Sequence, residues 1–301
     1  MQKIPVGPTI AFAYRFLITE IGTIVGIAWL PAALSSAVSY GARLYAAEHR
    51  ALMDVGDPQT AGTYLILSLA SLVVLLFASA MVAVAITRAA MGQERPAGAL
   101  LLYFAAGRSE WRMLSANIRY LFGTGALLAL AVLIAAAAFF LSGTPLDAPE
   151  QVRPTPATIL AAAISWAVFL YAGATILKIG FLLPATIVSE EKGGLRRSFE
   201  LAKGNFWRIL AVMLALGLPL LLLVLAGEVV VLRSALGPNF ARMSPAEFFQ
   251  KAGDAMDAKL VPWQIFSAVL FILASGLVYS GAAFAYRSVS PSSNGRSRTA
   301  A

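Results

Sequence analysis

FWRILAVMLALGLPLLLLVLAGEVVVL, residues 206–232, is the stretch whose reading decides the fold. It carries two charges, Arg208 near its start and Glu228 near its end, with an uninterrupted apolar interior between them. About 20 apolar residues suffice for a helix to cross the hydrocarbon core of a bilayer, so this segment is long enough to span it. Hydrocarbon offers no partner to an unpaired backbone amide, so the segment must be helical. The alternating apolar and polar decapeptides of a membrane barrel are absent.

Outward from this segment, five further runs have the same character: about Phe16 to Tyr40, Thr63 to Ile86, Tyr120 to Leu141, Ala157 to Val188 and Trp263 to Tyr286. The expectation is an all-α polytopic membrane helix bundle of about six spans. The run ending at Val188 is longer than a span needs, which predicts a tilt or a kink before Pro184. Pro31 and Pro219 fall inside spans, where each frees a carbonyl that neighbouring helices must cover. Residues 1–287 read as one transmembrane domain. The Ser-rich tail 288–301 lacks apolar anchors and is expected to be disordered.

Composition agrees. Charged residues make up 13% of the chain and the mean hydropathy is +0.77; a soluble domain carries roughly 25% charged residues, so this chain could not cover a water-facing surface. The net charge of +8 does not point to nucleic acid, because the basic residues sit in short segments between apolar runs and form no soluble patch. They set orientation instead. Of the 23 Lys and Arg, fifteen lie in the N-terminal segment, the loops after spans two and four and the C-terminal tail. Seven lie in the other loops, and Lys178 is within a span. The positive-inside rule predicts both termini in the cytoplasm. Abundant Ala and a preference for Arg over Lys are associated with GC-rich bacterial genomes, so the expected location is a bacterial inner membrane.

The two loops on the basic side look like copies of one unit. GALLLYFAAGRSEWRML (98–114) aligns without gaps on GLRRSFELAKGNFWRIL (194–210), with Trp111–Arg112 on Trp207–Arg208 and each copy running into a span. The segment before span one resembles a third, diverged copy. Such an arrangement is an internal parallel repeat, unlike the inverted repeats of many secondary transporters.

In the second copy Leu195, Phe199, Ala202 and Phe206 recur at helical spacing, with Arg196, Arg197, Glu200 and Lys203 on other faces. This predicts an amphipathic helix at headgroup level, with Trp207 and Arg208 as interface anchors. Arg196, Arg197, Lys203 and Arg208, together with Arg108 and Arg112 of the first copy, are the candidate contacts to anionic lipid. In the last outer loop, Ser244 fits an N-cap, Pro245 the first helical position and Glu247 the third, where it completes a capping box. An apolar stripe of Phe248, Phe249, Ala252, Met256 and Leu260 follows. The Ser244–Leu260 helix is expected to cap the bundle or to dock a protein partner.

Catalytic constellations are missing. There is no cysteine and one histidine, His49, so thiolate chemistry, histidine triads and multi-histidine metal sites are unavailable. No GxxxxGK[ST] loop occurs. No catalytic, cofactor-binding or metal-binding residue is assigned. Among ionisable residues at membrane depth, Glu20 and Arg119 lie near span ends, whereas Lys178 and Glu228 are the candidate intramembrane polar sites. Arg233 lies five residues beyond Glu228, near enough to pair.

RSFELAKGNFWRILAVMLALGLPLLLL (197–223) resembles a bacterial membrane family. It is similar to the multi-span domain that precedes the catalytic domain of some membrane-bound glycerophosphodiester phosphodiesterases, and to related stand-alone inner-membrane proteins. The likeness rests on the Ser-x-x-x-x-Lys-Gly-Asn-x-Trp run, Ser198 to Trp207, opening a Pro-containing span. The resemblance implies a membrane domain without the hydrolase, since the chain is expected to leave no room for one after span six. The expected function is that of a non-enzymatic, lipid-associated accessory or scaffold. The alternative is a small transporter or channel for a lipid-like or apolar solute.

Overall fold

In a computed structural model the chain forms a bundle of helices. The structure describes residues 2–93, 103–141, 156–190, 194–236, 244, 247, 251, 253–255 and 258–290. The described helices are α1 (Val6–Thr19), α2 (Ile21–Glu48), α3 (Arg50–Asp54), α4 (Pro58–Ala90), α5 (Arg108–Leu141), α6 (Pro156–Ser189), α7 (Leu195–Ala202), α8 (Phe206–Leu236) and α9 (Leu260–Val289). α2, α4, α5, α6, α8 and α9 are each long and apolar enough to cross a membrane. The protein is a six-span helical membrane protein.

α9 is the hub, in contact with α1, α2, α4, α6 and α8, while α5 packs on α4 and α6. The closest packing lies at one end, where α4, α6 and α9 terminate and α5 begins; we call it the basic end. Ala80 to Thr87 of α4 are all buried, as are Phe181 to Thr186 of α6 and most of Ser275 to Tyr286 of α9. The α9 stretch is rich in Ala, Gly and Ser and that of α4 in Ala, small residues that let helix backbones approach closely. Gly276 and Gly281 mark two close approaches of α9: a β-carbon on Gly276 would lie 2.9 Å from Leu17, and one on Gly281 3.1 Å from Leu216. At the far end α4, α6 and α8 present bulky side chains outward, among them Ile66 and Leu69 of α4, Leu160 and Leu170 of α6, and Leu222 and Val230 of α8. That surface suits lipid.

The first span differs from the expected Phe16–Tyr40 run. Glu20 leaves helical geometry (φ −113°, ψ 21°) and divides the segment into α1 and α2. The break lets α1 lie against α9 and α8 with Thr9, Ala13 and Phe16 buried on one face, while α2 turns toward α4. These spacings of four and three are one side of a helix. α6 continues as helix through Pro184.

Helix ends follow their local chemistry. Asp57 caps α4 by accepting from the Thr60 amide at 2.8 Å, with Pro58 in the first turn. Those hydrogen bonds hold its carboxyl below the usual aspartate range. Beyond α4 and α7 the chain turns at Gly92 (φ 71°) and Gly204 (φ 78°), left-handed positions that favour glycine. α9 runs to Val289 and Ser290 is buried, so residues 288–290 belong to the folded bundle and not to the tail. The remainder of the tail lies outside the described residues.

The capping box of the outer loop is present. The Ser244 amide donates to the Glu247 carboxylate at 3.1 Å, and the Glu247 amide donates to the Ser244 hydroxyl at 3.3 Å. Asp254, farther along, pairs with Arg50 at the start of α3. Phe248, Phe249, Ala252 and Met256 lie outside the described residues.

The two copies of the repeat share a burial phase. Met113 and Ala116 of α5 are buried, as are their counterparts Ile209 and Val212 of α8. Trp111 and Trp207 are both outward, 56% and 76% exposed. The copies diverge upstream: Leu195–Ala202 is helix, whereas Tyr103–Gly107 is not. Tyr103 is buried instead, its hydroxyl 3.5 Å from the Glu110 carboxylate, and Gly107 passes so close to Glu110 that a β-carbon would lie 2.8 Å from an oxygen.

Candidate functional site

α5 starts at Arg108, twelve residues before the expected span at Tyr120, so three arginines thought to lie in or beside a loop stand on a helix. Arg108, Arg112 and Arg119 are spaced by four and seven residues and share one side of it. α7 faces them. Together these elements line a groove of about 720 Å³ at the basic end, with Arg108, Arg112, Arg119, Arg196, Arg197 and Trp111 among its walls.

Each wall is positioned by identifiable contacts. Arg112 donates to the carbonyls of Ile187 (3.3 Å) and Glu190 (2.8 Å), groups that the end of α6 leaves without helical partners. Arg197 donates through Nε to both Glu190 oxygens, at 3.1 and 3.0 Å. The Tyr286 hydroxyl of α9 donates to Glu190 at 2.9 Å, so this carboxylate ties α6, α7 and α9 together. Arg196 pairs with Glu200 at 3.0 Å, but its side chain is 93% exposed. An ion pair so exposed holds its partners weakly. Arg108 and Arg119 are exposed and make no ion pair with a described carboxylate. Among the described residues, Glu190 and Glu200 are the carboxylates paired with groove arginines.

α7 presents a different face to the bundle from the one its apolar residues suggest. Ser198 and Ala202 are buried and Phe199 is exposed. The small side chains let α7 approach α6, where the Ser198 hydroxyl donates to the Ile179 carbonyl at 2.6 Å. Phe199 and Phe206 instead flank Lys178, whose Nζ lies 6.0 and 5.3 Å from their ring centres. This geometry is a cation–π contact, and it turns Lys178 toward the α7–α8 corner.

Lys203 and Arg208 do not line the groove. Lys203 is exposed at the end of α7. Arg208 donates to the Ile4 carbonyl at 2.8 Å, beside the buried Asn205, which accepts from the Ile4 amide at 3.0 Å and donates to the Gln2 carbonyl at 3.2 Å. The Ser198–Trp207 motif is therefore an architectural unit: Ser198 docks α7, Gly204 turns the chain and Asn205 clamps the N-terminal segment. Glu228 is half-buried on α8 and does not line the groove; among the described residues it forms no ion pair with Arg233.

Sequence reasoning missed two features. Arg119 belongs with the groove arginines, and its seven-residue spacing from Arg112 was the available signal. The other is a buried cluster beside the groove. Glu110, 1% exposed, accepts from Arg88 at 3.1 Å, and Arg88 also donates to Ser109 at 2.9 Å. Burial, and after it the Glu110 charge, push the Tyr103 hydroxyl up to about 12. No local pattern joins residues 88 and 110.

Among the described residues no group of three or more His, Cys, Asp or Glu could hold a metal ion. Planar guanidinium groups such as those lining the groove match the oxygens of phosphate or carboxylate. The chain matches no family model, no curated protein and no solved structure.

Proposed function

We propose that the protein is a non-enzymatic, lipid-associated accessory protein of a bacterial inner membrane, with the arginine groove on the cytoplasmic side holding an anionic lipid headgroup. One observation carries this: the five arginines converge on a groove whose inner end, at Arg119, adjoins the exposed apolar Ile118 and Phe122. A free anion has no use for that apolar border, whereas a lipid places its phosphate among the arginines and its chain along α5. Basic pockets between membrane helices are a recurring form of headgroup site. The resemblance of residues 197–223 to a membrane domain that accompanies, but does not contain, a hydrolase fits an accessory role.

The competing reading, a small transporter for a lipid-like or apolar solute, draws on Lys178 and Glu228. Lys178 is engaged by two aromatic rings, and neither residue lines the groove, so the accessory role is preferred.

Native mass spectrometry of the protein gently extracted from its own membrane tests the proposal. The expected result is an anionic lipid at one per chain, lost in the Arg108→Ala/Arg196→Ala double variant. An unchanged lipid complement in that variant would count against the groove. Robust hydrolysis abolished by a point substitution in this chain would count against the non-enzymatic role.

A further inference from the structure

The spacing of the arginines carries more than a preference for negative charge. Arg108 and Arg112 lie one helical turn apart and face Arg196 and Arg197 across the groove. Arg119 stands seven residues beyond Arg112, which at 1.5 Å per residue is roughly 10 Å farther along the helix. Seven residues return to within about 20° of the same side. The groove therefore has two cationic centres in line, an outer one of four arginines and an inner one at Arg119, with the Ser115 hydroxyl between them. Its volume of about 720 Å³ is in the range of sites for whole small molecules, roughly 300–1,000 Å³.

One phosphodiester carries a single negative charge and occupies one centre. It would leave the second centre unoccupied. Two adjacent phosphates, as in a diphosphate ester, bring more charge but at a separation shorter than the interval between centres. Two phosphodiesters joined by a short bridge match the number of centres and come nearer to their separation than a diphosphate does. We propose that the groove is selective for a lipid bearing two bridged phosphodiester groups, one held by Arg108, Arg112, Arg196 and Arg197 and the other by Arg119. This rests on the headgroup-binding role proposed above and names its ligand class.

The test uses the full chain in nanodiscs of phosphatidylcholine doped with one of three lipids at equal total headgroup charge: phosphatidylglycerol, cardiolipin or a prenyl diphosphate. Bound lipid is read by native mass spectrometry. The expected result is one cardiolipin per chain, retained at least tenfold over either of the others. Arg119→Gln should reduce that preference to less than threefold, and Arg119→Lys should restore part of it. Thermal melting in the same nanodiscs checks that the variants fold, and the wild-type comparison decides the matter whatever the variants do.

Equal retention of cardiolipin and phosphatidylglycerol, or tighter binding of the prenyl diphosphate, overturns the two-phosphodiester selectivity and leaves headgroup binding intact. If the wild-type protein retains none of the three lipids above the phosphatidylcholine background, headgroup binding itself is overturned.

Discussion

The Tyr14 hydroxyl of α1 donates to the Ala215 carbonyl of α8 at 3.0 Å. Ala215 lies four residues before Pro219, and a helical proline has no amide to offer the carbonyl at that position. The short helix that precedes the first span thus supplies the donor that the fifth span lacks, through a contact 201 residues apart in sequence. A buried carbonyl with no partner in an apolar setting is costly.

Tyr14→Phe should therefore destabilise the protein by about 1 kcal/mol, the usual net value of one hydrogen bond. In a Pro219→Leu background the helix amide is restored and the same substitution should cost less than half as much. Thermal unfolding in detergent, arranged as a double-mutant cycle, measures the difference. Equal costs in both backgrounds would disconnect Tyr14 from the proline.

Arg88 and Glu110 should respond unequally to substitution. Glu110 is buried, whereas Arg88 keeps 30% of its side chain exposed. Removing Arg88 strands a carboxylate away from water, for which about 3 kcal/mol is expected. Glu110→Gln leaves a guanidinium that can still reach solvent and an amide oxygen that can still accept, so about 1 kcal/mol is expected. Denaturant unfolding of both variants checks the order, and a larger loss for Glu110→Gln would contradict it.

Gly180 marks the packing of α5 on α6. A β-carbon there would lie 2.9 Å from the Tyr120 hydroxyl, which donates to the Ile176 carbonyl at 2.8 Å. Gly180→Ala should cost about 1 kcal/mol, because overpacking by ~1–3 kcal/mol exceeds the gain of up to ~1 kcal/mol in helix propensity. In a Tyr120→Phe background the obstructing oxygen is gone, so the same change should become neutral or stabilising. Melting temperatures of the four proteins give the sign directly.

Alkaline pH should act through Tyr103. Its hydroxyl ionises near 10 in an unfolded chain and about 12 in the fold, so the folded state holds the proton more tightly. The stability this contributes is complete below pH 10 and is lost as pH rises through 12. Tyr103→Phe should flatten that part of the stability profile. Ultraviolet difference titration of the two proteins should show one phenolate fewer appearing near pH 12 in the variant. An unchanged titration curve would remove Tyr103 from the buried cluster.

Much of this protein was legible without coordinates. Hydrocarbon thickness and the demand for internal backbone hydrogen bonding dictate six helical spans from run length alone, and all six are present. The Ser244–Glu247 capping box was equally readable, because a cap is built within four residues of the chain. Four of the six candidate headgroup contacts, Arg108, Arg112, Arg196 and Arg197, line one groove because charge clustering beside a span is a local property.

What required the tertiary structure is whatever depends on residues distant in sequence. Hydropathy cannot distinguish one long run from two helices meeting at Glu20, since α1 is separated only by the direction in which it packs. Nor can it tell that Ser198 and Ala202, not Phe199, face the bundle, because in a lipid-facing protein small side chains mark the packed side and large ones the lipid side. Lys203 and Arg208 left the candidate site when α7 turned away from them, and Arg119 entered it when α5 proved helical from Arg108. The composition of the chain selected its solvent and its helices; close approach between helices decided which charges share a groove and which carbonyls find a donor.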